Sequence, residues 1–68
     1  MNRTYLITKA TDSNTLSFSG VFQKKNINKV IIEDGAKLNK GTFYLISFER
    51  YHINENILYI SSINFQVL

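Results

Sequence analysis

A chain of 68 residues has room for one domain, spanning residues 1–68, and for no second one. It is 44% hydrophobic and has neither cysteine nor proline, so apolar side chains can fill a small core but no disulfide or thiolate metal site can staple it. The net charge of +3 permits a polyanionic partner without demanding one.

A core of this size supplies only about 3–5 kcal/mol, so a compact barrel or help from a partner subunit is expected. The N-terminal MNRTYLITKA lacks the apolar segment of a secretory signal. No apolar run approaches the ~18 residues of a membrane-spanning helix. A soluble, cytoplasmic protein with no membrane partner is the expectation.

In chain order, Arg3–Lys9 reads as a first strand, with Tyr5 and Ile7 on one face and Leu6 on the other. Thr11–Asn14 is a polar turn cluster. Thr15–Gln23 alternates, placing Leu16, Phe18 and Phe22 inward and Thr15, Ser17 and Ser19 outward. Gly20 occupies an inward slot, where glycine marks a bend or a close backbone approach. Lys24-Lys25-Asn26 reads as a hairpin tip, and Asn28–Glu33 as a third strand built on Val30, Ile31 and Ile32. Asp34-Gly35 is a turn signal. Ala36–Lys40 is the one place where a single helical turn fits, around Leu38.

Thr42–Phe48 and the run from Ile57 onward form two strand arms around a polar tip, His52–Asn56. Leu58 and Ile60 share one face, while Ile63, Phe65 and Val67 continue an apolar face on the opposite parity. One extra residue at Ser61-Ser62 would repair the phase, as a β-bulge does. No amphipathic helical period occurs. The expectation is an all-β fold, a small five-stranded OB-like β-barrel with a bulged last strand, with an SH3-like barrel as its competitor.

Catalysis is hard to assemble from these residues. His52, the only histidine, reads as a solvated turn residue. Asp12, Glu33, Asp34, Glu49 and Glu55 are scattered over different elements, with Glu33-Asp34 a turn-flanking acidic pair. There is no phosphate-binding glycine loop, nucleophile elbow or metal-ligand spacing. The chain is therefore expected not to be an enzyme, and to use no cofactor, metal or catalytic residue.

Nucleic-acid binding is better supplied, because single strands are held by a basic groove and by aromatic platforms on which bases stack. Nine aromatic residues are present; Phe18, Phe22, Phe48 and Phe65 fall on inward parity. Tyr44, Tyr51 and Tyr59 are candidate base platforms, with Tyr44 and Tyr51 expected on opposite faces of one strand. Lys24, Lys25 and Lys29 are candidate phosphate contacts, widened by Arg3, Lys9 and Arg50. No motif reads the 2′-hydroxyl, so DNA and RNA both fit.

The stretch Gly41-Thr42-Phe43-Tyr44-Leu45, then Ser47, then Leu58-Tyr59-Ile60-Ser61-Ser62-Ile63-Asn64-Phe65, resembles the C-terminal half of the single-stranded-DNA-binding proteins of filamentous bacteriophages. Ser19-Gly20-Val21 and the acidic-Gly turn Glu33-Asp34-Gly35 look similar as well. The resemblance is good over residues 41–65 and loose elsewhere. It implies an OB-type barrel that forms a homodimer and coats single-stranded DNA cooperatively, with little sequence preference, in phage or mobile-element replication. It also implies a basic, aromatic-bearing hairpin where Gln23, Lys24, Lys25 and Ile27 stand. The chain departs from the family in a shorter segment between Val21 and Val30, in Glu55 at the place of a loop aromatic, and in Ser62 and Asn64 at the places of arginines. A rival expectation is a small β protein-interaction module, an accessory subunit of a phage or plasmid complex, whose exposed strand pairs edge-to-edge with its partner. The acidic Glu49 and Glu55, which would repel DNA, point that way.

Overall fold

The computed structural model describes residues 2–61 and 63–68. The described residues form seven strands: β1 (Thr4–Asp12), β2 (Thr15–Phe22), β3 (Lys25–Ile32), β4 (Phe43–Phe48), β5 (Arg50–Asn54), β6 (Ile57–Ser61) and β7 (Asn64–Val67). Among the described residues there is no helix, and so none long and apolar enough to cross a membrane. The strands form one sheet in the order β5-β6-β3-β2-β1-β4-β7, which curls into a half-barrel. All pairings are antiparallel except β3 with β6, where Val30 lies beside Leu58 and Ile32 beside Ile60.

The turns follow from their residues. The β2–β3 and β5–β6 hairpins are closed by two residues each, Gln23-Lys24 and Glu55-Asn56, all four at positive φ. Positive φ at both central positions is the signature of a type I′ turn, whose twist matches that of the flanking strands. Asn56 suits this conformation; Gln23 and Lys24 tolerate it poorly. The tip of the β2–β3 hairpin therefore lies one residue before the expected Lys24-Lys25-Asn26.

Ala36–Lys40, where a helical turn would fit but which is too short for a helix, is irregular. Its backbone donors are taken elsewhere: the Leu38 N–H donates to Ser13 O at 2.8 Å and the Asn39 N–H to the Tyr44 hydroxyl at 2.8 Å. These bonds strap the irregular connector across the end of the sheet and bury Leu38.

Seven strands replace the expected five because both arms of the last hairpin are interrupted. Arg50 pairs with Ser61 and Ser47 with Asn64. Ser62, and with it the expected Ser61-Ser62 bulge, lies outside the described residues. Both arms change parity across the break. Tyr44, Ile46 and Phe48 face the core before the break, Ile53 after it; Leu58 and Ile60 do so on the other arm, and then Ile63.

Register shifts occur earlier in the chain. Thr11 is extra in β1, between the pairs Ala10–Leu16 and Asp12–Thr15. Phe18 and Ser19 of β2 stand against Asn28 alone, and Gly20 follows, opposite the buried Ile27. These bulges sharpen the local twist and help the sheet to curl.

The core is built from Ala10, Leu16, Ile27, Val30, Ile32, Leu38, Tyr44, Ile46, Phe48, Leu58 and Ile60. Leu6, Phe18, Phe22 and Ile53 pack around it. Phe65 keeps the expected inward parity, with the Tyr44 ring edge-on at 5.6 Å, but is 45% exposed because β7 is an edge strand.

Candidate nucleic-acid interface

The β2–β3 hairpin carries Lys24 in its turn and Lys25 at the start of β3, both exposed. Neither forms an ion pair among the described residues. Lys25 pairs directly across from Phe22, the last residue of β2. The Phe22 ring meets Tyr51 edge-on at 5.0 Å, and both lie against Phe48, at 6.2 and 6.3 Å. Tyr51 remains 42% exposed. A basic tip and a partly open aromatic cluster thus adjoin, the pairing of residue types that single strands require.

The second hairpin tip lies beside the first. The Asn28 N–H donates to Asn56 O at 2.8 Å, and Asn56 Nδ2 donates to Asn26 O at 2.9 Å. Between the tips runs a polar groove lined by Lys25, Asn26, Ile53, Asn54, Glu55 and Asn56. Glu55 is the one carboxylate in that lining, and it would oppose a phosphate there.

The remaining candidates separate. Lys29, Arg50 and Tyr59 share the outer face of β3, β6 and β5, since Lys29 lies opposite Ile57, Tyr59 beside Ile31 and Arg50 opposite Ser61. Tyr59 is not an open platform: the His52 ring stacks on it at 4.8 Å and 10°. His52 itself is in β5 rather than at the tip, with Nδ1 3.7 Å from Glu33 Oε1. Lys9 is on the outer face of β1, its Nζ 5.9 Å from the centre of the Phe43 ring.

Two candidates are structural. Tyr44 is 2% exposed, and its hydroxyl accepts the Asn39 N–H, so its ring cannot receive a base. It shares parity with Ile46 and Phe48, and the parity change at Glu49 puts Tyr51 on the same inner side rather than the opposite one. Arg3 is a clamp: Nε donates to Ser47 Oγ at 3.0 Å, Nη2 to Ser47 O at 2.9 Å, and Nη1 to Glu49 Oε1 at 2.7 Å. It satisfies the buried Ser47 and neutralises Glu49, which removes one of the acids expected to repel DNA.

Sequence reasoning missed an apolar cleft of about 240 Å³ between β1 and β2. The two strands pair only at Ala10–Leu16 and Asp12–Thr15 and then diverge, bridged where Thr8 Oγ1 donates to Ser17 O. Periodicity reports which side chains face inward but not where neighbouring strands part. Among the described residues no cluster of His, Asp and Glu is arranged to hold a metal ion; Asp34 instead accepts the Ile63 N–H at 3.1 Å. No protein-family model, curated protein or solved structure matches the chain.

Proposed function

We propose that this chain is a small OB-like barrel that binds single-stranded nucleic acid, DNA in the first instance, with little sequence preference. The observation that carries the reading is the adjacency of Lys24 and Lys25 to the Phe22–Tyr51 ring pair. Phosphates would lie along the two lysines and a base on the exposed side of Tyr51. An OB reading of the barrel takes β4 with β5 as one bent strand and β6 with β7 as another. The parallel β3–β6 pair and the antiparallel β1–β4 pair support that reading, since a five-stranded Greek-key barrel uses both. The likeness to filamentous-phage single-strand-binding proteins fits the same reading, with a replication role in a bacterial cytoplasm. Lys9, Lys29 and Arg50, on the outer face of the sheet, would add positive charge away from the hairpin.

The test is fluorescence anisotropy of labelled oligo-dT at several salt concentrations, with a duplex of equal length as control. Wild type should bind the single strand with a salt-dependent affinity. Lys24→Glu/Lys25→Glu should weaken it and flatten the slope of log K against log salt by about 1.4, from about 0.7 per phosphate contact. Equal affinity for the duplex, or an unchanged slope in the variant, refutes the reading.

A second reading rests on β7. It is a four-residue edge strand with Val67 60% exposed and Phe65 half-open, so its free edge can add a strand from a partner protein or from a second copy in a homodimer. An oligomer that dissociates on Val67→Lys, with oligo-dT affinity at low salt absent throughout, would favour it.

A further inference from the structure

We infer that the cleft between β1 and β2 is a nucleobase pocket, in which one unstacked base of the bound strand is held; this rests on the single-strand reading above. Its walls are Tyr5 and Leu6 on β1 and Val21 and Phe22 on β2, and its floor is Val30 and Leu58. No charged side chain lines it. Its volume, about 240 Å³, is below the range of about 300–1,000 Å³ typical of sites for drug-sized ligands, and suits a single flat ring system.

The occupant is set by what surrounds the cleft. Phe22 is shared: one neighbour across the ladder is Lys25, and its ring partner is Tyr51 at 5.0 Å. A base in the cleft therefore has a cation beside its phosphate and an aromatic ring for the next base. Tyr5 and Val21 stand 67% and 65% exposed at the mouth, apolar surface that a base entering the cleft would cover. With apolar walls, the pocket reads shape rather than a donor and acceptor code. Thymine, whose methyl group gains from apolar contact, should be held better than cytosine.

The experiment is amide chemical-shift mapping of the ¹⁵N-labelled full chain with a five-residue oligo-dT and with the same sugar-phosphate backbone lacking bases. Oligo-dT should move the amides of Thr4–Leu6 and of Val21–Phe22 together with Lys24 and Lys25. The abasic strand should move only the lysines and bind at least fivefold more weakly, the low end of what one stacked base contributes. If oligo-dT binds but the cleft amides stay still, the pocket is refuted and the single-strand reading stands. If both strands move the cleft alike, the occupant is not a base. If the same amides move on dilution without oligonucleotide, a second copy covers the cleft and the pocket is refuted. No binding of oligo-dT at low salt overturns both readings.

Discussion

Replacing Gln23-Lys24 by Asn-Gly should stabilise the fold while weakening its hold on a nucleic acid. Both residues sit at positive φ, 52° and 64°. A residue with a Cβ raises the energy by about 1–2 kcal/mol in that region, less for Asn, and glycine avoids the clash. Neither side chain makes a hydrogen bond or ion pair among the described residues, so the exchange removes no contact within the fold. Against the gain stands glycine's extra freedom in the unfolded chain, about 0.5–1 kcal/mol. The net is about 1–2 kcal/mol, which for a domain of this size raises Tm by roughly 5–15 °C. Thermal and urea unfolding followed by circular dichroism measure it. The contrast is Asn56→Gly, at φ 67°, where relief of the turn is offset by losing the Nδ2 bond to Asn26 O, so stability should barely change. A Gln23-Lys24 exchange that lowers Tm, or an Asn56→Gly gain of equal size, refutes the turn argument. In the same Asn-Gly variant the lost lysine should flatten the salt slope for oligo-dT by about 0.7.

Other positions separate framework from surface. Tyr44→Phe leaves the Asn39 N–H without its acceptor and should destabilise by about 1–3 kcal/mol in urea unfolding. Arg3→Ala strips Ser47 of its partner and should cost about 1–2 kcal/mol of stability, with the oligo-dT salt slope unchanged. Tyr51→Ala should weaken oligo-dT binding by about 1–3 kcal/mol in anisotropy titrations. Tyr59→Ala, by contrast, should leave affinity intact, because His52 occupies that ring. Leu16→Ala, at a site with no exposed surface, should lower stability by about 2–5 kcal/mol.

Much of the strand pattern was legible in the sequence because a half-buried strand must alternate. Leu16, Phe48, Leu58 and Ile60 reach the core as period-2 reading expects. Leu6 and the exposed Tyr5 and Ile7 divide between faces in the same way. The parity change was legible on the last arm, through Ile63, Phe65 and Val67, but not on the arm around Glu49. There it depends on the register of the partner strands, which is a tertiary fact. Tyr44 was misplaced for the same reason. A tyrosine reads as amphipathic in any sequence, and its burial here depends on an acceptor role toward Asn39 in a connector with no periodicity. The Lys24-Lys25 cluster was visible as charge. Its neighbour Phe22 gained significance only when the Tyr51 ring was found against it.

The parallel β3–β6 pair carries a consequence for how the chain reaches its fold. That pair and β1–β4 join segments far apart in sequence, whereas the β2–β3 and β5–β6 hairpins close over two residues each. Local ladders can form in microseconds, but the long-range ones must first overcome loop-closure entropy. The curled sheet should thus fold by docking two preformed hairpins, with the search for the β3–β6 register setting the rate. Sequence changes at the turns would then register in the folding limb of a chevron plot, and changes along β1–β4 in the unfolding limb.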